Sequence, residues 1–202
     1  MIDVSTEGAI RILTINRPDK ANALTREMLV ALGDAVVAAQ EDETLHAMVL
    51  TGVGKVFSAG ADLEAAKAGL AVDTVWERLS AEIAKSPLMT VAALNGTVAG
   101  GAMGMALACD LRVAVPDAKA FYPVMKLGFL PQPSDVVRLK ALVGSARAKL
   151  ILMAGQKIDA QEALAMGMFD RLCDDPVAEA KALATDAMGA DRAHVSAIKK
   201  ML

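Results

Sequence analysis

Two glycine-bearing turns are the places where this chain could do chemistry: "SAGADL" (Ser58–Leu63) and "VAGGAMGMALACDL" (Val98–Leu111). In the first, Gly60 admits an unusual backbone angle, Ala61 leaves its N–H unobstructed, and Asp62 is placed to cap the following helix. In the second, Gly100 and Gly101 stand where a helix begins. Each turn offers free N–H groups at a helix start, as an anion or oxyanion requires. Two such donors aimed at one point would hold a carbonyl oxygen as it becomes an enolate. Either turn alone more often serves only to reverse the chain. The second turn leads to a lone carboxylate, Asp110, so the proton carrier for such chemistry has to be sought elsewhere.

Other chemistries fail on their spacing. "GVGKVF" has the Gly-Lys of a phosphate loop but neither the earlier glycine nor a Ser/Thr after Lys55, and no G-x-G-x-x-G follows a strand. Cys109 and Cys173 form no disulfide framework and no metal-ligand spacing, which fits a reduced, cytoplasmic setting. No metal and no cofactor is expected. A net charge of -3 gives no footprint for nucleic acid. The N-terminus has neither a basic leader nor a continuous apolar run, so no signal peptide is expected. From Leu88 to Cys109 no residue is charged, a length that could span a bilayer. Its four glycines and the turn-like "LNG" read instead as a buried strand, turn and helix, and no membrane partner is expected.

The elements that must position these turns alternate along the chain. "AIRILTIN" (Ala9–Asn16) reads as a half-buried strand, and "TREMLVALGDAVVAAQED" as a helix capped by Thr25 with Leu24, Met28, Leu32 and Val36 on one face. "AMVLTG", "VFSAGADL", "SPLMTVAALNG" and "LRVAV" supply further short apolar strands with helices between them. This order argues an α/β fold with both sheet faces covered. After Gly144 the signals turn helical. Ser145 is read as the cap of a helix ended by Gly155, and Asp159 with Glu162 as the capped start of a helix ended by Gly167. The expected organisation is a core over 1–144 and a helical region over 145–202. Met103 and Met105 are read as core filler.

These residues resemble the crotonase (enoyl-CoA hydratase/isomerase) superfamily from about Val4 to the C-terminus. The resemblance rests on "TINRPDKANALTREM", "FSAGADL", "P-x5-A-x-NGTVAGGAMGMALACDLRVA", "LGFLP" and "AGQKIDAQEALAMGMFDRL", in that order. It implies a crotonase-like fold of repeated ββα units with C-terminal helices, acyl-CoA thioesters as substrates, and a homo-oligomer, trimer or hexamer. By the same resemblance the oxyanion-hole N–H groups fall on Ala61 and Gly101. Coenzyme A, present only as part of the substrate, would be contacted by Lys20, Ala21 and Ala23 in the first loop and by Ala59, Asp62 and Leu63 in the second. From the residues alone, Lys20 is equally a solvated loop lysine and Asp62 a helix cap.

The family's hydratases use two glutamates, and both are absent here. Six residues before Asp110 stands Gly104, and seven before Pro131 stands Val124. Hydratase activity by the usual route is therefore not expected, because polarising a thioester delivers no proton. Asp135, in "PQPSDVVRL", lies beyond Gln132, where some family isomerases and dehalogenases carry an aspartate. Together with Ser134 it is read first as a helix cap and second as a proton carrier. Tyr122, two residues before Val124, would share a face with it in a strand and is the other candidate donor. His46 and His194 match no catalytic position. The C-terminal helical part is shorter than is usual in the family. The reading is an acyl-CoA-binding enzyme working through a thioester enolate. The alternatives are a non-catalytic acyl-CoA-binding or assembly protein, and an isomerase, decarboxylase or thioesterase using Asp135 or Tyr122.

Overall fold

The structure is a computed structural model describing residues 1–202. An antiparallel pair opens the chain, β1 (Ile2–Glu7) and β2 (Ile10–Ile15), with Ile2 opposite Ile15. β1 escapes a reading by hydrophobic pattern: "IDVSTE" lies on a sheet edge with five of its six residues exposed. Helix α1 (Arg26–Glu41) starts as expected, with the Thr25 hydroxyl accepting the Met28 N–H at 3.3 Å.

Three repeats of long strand, short strand and helix follow. The first is β3 (Ala47–Gly52), β4 (Val56–Ser58), α2 (Leu63–Lys67) and α3 (Val75–Lys85). The second is β5 (Met89–Leu94), β6 (Thr97–Ala99) and α4 (Ala102–Ala108). The third is β7 (Leu111–Ala114), β8 (Lys119–Phe121), α5 (Val124–Leu127) and α6 (Pro133–Leu152). The chain closes with β9 (Ile158–Asp159), α7 (Ala160–Ala165), β10 (Arg171–Leu172), α8 (Pro176–Leu183), α9 (Thr185–Gly189) and α10 (Arg192–Met201). These are the ββα units that the resemblance implies.

The long strands form one sheet in the order β1-β2-β3-β5-β7-β10, parallel from β2 onward. The short strands form a second, β4-β6-β8-β9, in which only β9 is antiparallel. The two-residue period of a strand shows in the core. Ile10, Ile12, Val49, Val91, Ala93 and Val113 point to one face of the large sheet, where Ala180 and Ala184 of the C-terminal helices cover them. Leu13, Ile15, Met48, Leu50, Ala92 and Leu94 point to the other, under Met28, Leu32 and Val36 of α1 and Leu79 and Ile83 of α3. Both faces are covered, so the strands read as continuous apolar runs.

The uncharged stretch Leu88–Cys109 is β5, β6 and α4, and no helix is long and apolar enough to cross a membrane. Asp159 caps α7 by accepting the Glu162 N–H at 2.8 Å. The new helix expected at Ser145 is met one residue early: Gly144 (φ 78°, ψ 165°) kinks α6 into two helical stretches, and the second ends at Leu152, short of Gly155. Both cysteines are free thiols, and burial pushes Cys109 up to about 12, leaving it unreactive.

Candidate active site

Strands β4, β6 and β8 run side by side, with Ser58 opposite Val98 and Ala99 opposite Phe121. Their C-terminal continuations therefore emerge together. Ala59 and Ala61, then Gly100 and Gly101, then Tyr122 and Pro123 line one cleft of about 240 Å³. Trp76, Val124, Leu127 and Leu130 make its apolar walls. The carboxyl ends of parallel strands are the usual ligand site of α/β sheets, because the chain diverges there and leaves a crevice.

The first turn is held by Leu24, which lies alongside Ala61 as an isolated parallel bridge. Leu24 N–H donates to the Gly60 carbonyl and Asp62 N–H donates to the Leu24 carbonyl, each at 2.8 Å. The bridge uses the groups flanking Ala61 and leaves its own N–H without a backbone acceptor. Gly60 sits at φ 91°, and a Cβ there would stand 2.8 Å from the Ala99 carbonyl oxygen and 3.3 Å from the Gly100 Cα. The two turns thus touch, and only a glycine allows it. In the second turn Gly100 N–H donates to Phe121 at 3.1 Å, while Gly101 N–H is likewise without a backbone acceptor. The Trp76 ring lies 3.0 Å from where a Gly101 Cβ would be and is itself pinned by its indole N–H on Leu70.

A polar brace beneath the first turn went unread in the sequence. Asn22 is fully buried in the left-handed region (φ 55°) and donates to the Val53 and Val56 carbonyls at 3.0 and 2.7 Å. The Ser58 hydroxyl donates back to the Asn22 carbonyl at 2.8 Å. Arg17 donates to the Ala23 carbonyl and to the Asp62 carboxylate, both at 2.9 Å. The hydrogen bond from Arg17 holds Asp62 below its ordinary carboxylate range, helped by the Glu64 and Ala65 N–H groups that Asp62 caps. Asp62 is therefore a cap and an anchor, with its oxygens already engaged. Ala21 and Ala59 are tied by the Ala59 N–H at 3.0 Å, Lys20 is exposed in the same loop, and Leu63 stands 77 % exposed at the cleft.

Asp110, the carboxylate to which the second turn leads, is structural. It accepts from the Thr90 N–H (2.7 Å), the Thr90 hydroxyl (2.9 Å) and Lys199 of α10 (2.8 Å). The strand expected to carry Tyr122 and Val124 on one face ends at Phe121, and Val124 opens α5 instead. Both residues are nevertheless buried against the cleft, Val124 as a purely apolar wall.

The expectation that Asp135 caps a helix is overturned. The residue at the cap of α6 is Gln132, with no side-chain bond, and Asp135 lies three residues into the helix. Its side chain points inward, 2 % exposed, and Oδ2 accepts the Tyr122 hydroxyl at 3.0 Å. A Cβ on Gly104 would stand 2.5 Å from Asp135 Oδ1. The carboxylate thus occupies the space that a side chain at position 104 would need. Burial raises Asp135 to about 6, opposed by the Tyr122 hydrogen bond and reinforced by the charge of Glu77. Because folding raises this carboxyl, the unfolded chain releases the proton first, so the Asp135 contribution to stability falls as pH rises from the ordinary carboxylate range through about 6. Glu77 also accepts from the Ser134 N–H and hydroxyl at 3.0 Å, which fixes the start of α6.

The enoyl-CoA hydratase/isomerase family profile matches residues 5–202. The chain is 37 % identical over 202 residues to the "Probable enoyl-CoA hydratase EchA14" of Mycobacterium tuberculosis, covering 97 % of this chain and 78 % of that one. Among solved structures, an enoyl-CoA hydratase from Bacillus anthracis superposes with a TM-score of 0.91 at 28 % identity, covering 98 % of this chain and 81 % of that one. An enoyl-CoA hydratase/carnithine racemase from Magnetospirillum magneticum gives 0.90 at 29 %, covering 99 % and 80 %. With its ββα repeats and paired glycine turns, this chain belongs to the enoyl-CoA hydratase/isomerase family.

Proposed function

We propose that the cleft binds an acyl-CoA thioester with its carbonyl oxygen between the Ala61 and Gly101 N–H groups, and that the chain acts as an enzyme through the enolate so stabilised. The observation that carries this reading is the pair of N–H groups without backbone acceptors, on two touching turns whose residues line one apolar cleft. Donors fixed by the fold cost no reorganisation when charge develops on the oxygen. In this reading the coenzyme A part lies along Lys20, Ala21, Ala23 and Ala59, with the Lys20 ammonium as a point charge for a phosphate. The acyl chain lies against Val124, Leu127 and Leu130. Met125 and Val137, which do not line the cleft, are exposed large apolar side chains, which favours a homo-oligomer covering them.

Calorimetry with butyryl-CoA and with free coenzyme A tests the pocket. Burying the short acyl chain should tighten binding by about tenfold or more. Equal affinity for the two would contradict a working thioester site.

A further inference from the structure

One polar atom of the site lacks a partner. Asp135 is almost completely buried, its Oδ2 is taken by the Tyr122 hydroxyl, and its Oδ1 has no hydrogen-bond donor at all. Buried polar atoms in folded proteins are nearly always satisfied, so an orphan oxygen needs a reason. The charged or titratable groups facing it are Tyr122, Glu77 from α3 and Arg138 from its own helix, and none of them bonds to Oδ1. The orphan oxygen points at Gly104, one helical turn beyond Gly101 on α4. Tyr122, whose hydroxyl holds the other carboxylate oxygen, lines the same cleft as Ala61 and Gly101, so Asp135 stands behind the wall of that cleft.

We propose that Asp135, oriented by Tyr122, is the single proton carrier of this site: it takes a proton from the carbon beside the thioester carbonyl and gives it back, so the chain catalyses proton shifts along an acyl group. This rests on the thioester reading above. In the forward step the C–H bond breaks and the proton forms an O–H bond on Asp135 Oδ1. The released electron pair moves toward the carbonyl oxygen, whose charge the Ala61 and Gly101 N–H groups hold. When the proton on Oδ1 is replaced by one from solvent before it returns to the same carbon, that carbon acquires a solvent hydrogen. In a chain with a neighbouring double bond, return two carbons further along moves that bond. Neither route consumes water, an oxidant or a second carboxylate.

The test is butyryl-CoA in heavy water, followed by mass spectrometry for deuterium beside the thioester. The wild-type chain should incorporate it, with a rate that rises with pH through about 6 as Asp135 ionises. Asp135→Asn should lose about 10²-fold or more of this rate while keeping its affinity for butyryl-CoA. Tyr122→Phe removes a hydrogen bond that favours the charged carboxylate, so its pH midpoint should move upward. Exchange in Asp135→Asn within a few-fold of wild type would overturn the proposal, as would an unmoved midpoint in Tyr122→Phe. So would wild-type binding of butyryl-CoA without exchange. Failure of wild type to bind butyryl-CoA better than coenzyme A would instead defeat the thioester reading.

Discussion

Crotonyl-CoA should be hydrated by this chain at least ~10²–10⁴-fold more slowly than by a hydratase that carries both glutamates. Addition of water sets two tasks: one group must activate the water and another must hand a proton to the carbon. Here position 124 is a buried valine against the cleft, and position 104 has no side chain. Asp135 returns one carboxylate to the neighbourhood of Gly104, but nothing of its kind stands at Val124. One carrier suits a proton shift and leaves the activation of water undone. The loss of enoyl absorbance on mixing with crotonyl-CoA measures this directly. Turnover at an ordinary hydratase rate would show that the two positions are wrongly matched.

Restoring the glutamate at position 104 should damage the fold. The Cβ alone would lie 2.5 Å from Asp135 Oδ1 and 3.0 Å from its Cγ, so the buried Asp135 side chain would have to shift to admit one. Overpacking of this kind costs about 1–3 kcal/mol, and a second buried carboxylate beside Asp135 adds repulsion between like charges. Gly104→Glu is therefore expected to lower unfolding stability by about 3 kcal/mol in urea titrations. Combining it with Asp135→Ala frees the space and should recover most of that loss, a strongly non-additive result. Independent, additive effects of the two substitutions would mean that the carboxylate and position 104 do not share one space.

Much of the architecture was legible in residue pattern. "AMVLTG" and "SPLMTVAALNG" are apolar, short and bounded by turn residues, and both are central strands. The two donor turns could be read because glycine marks backbone that other residues disfavour, and Gly60 at φ 91° is such a place. The N-caps at Thr25, Asp62 and Asp159 were legible because capping is local, between residues two or three apart. The same local logic misled at Asp135. A helix-start aspartate looks like a cap, and its actual partner, Tyr122, is brought to it by the end of β8 in a different element. The Arg17–Asp62 and Asn22–Val56 contacts join segments far apart along the chain and leave no periodicity to detect. Strand β1 was missed because an exposed edge strand needs no apolar face.

The central claim is that Ala61 and Gly101 donate together to a bound thioester carbonyl, and its vibration reports that contact most directly. Isotope-edited infrared spectra of butyryl-CoA labelled at the carbonyl should be recorded free and bound to the wild-type chain. Two fixed N–H donors draw electron density onto the oxygen and weaken the C=O bond, so the band should move to lower frequency on binding. A bound carbonyl band at the frequency of the free thioester would contradict the claim.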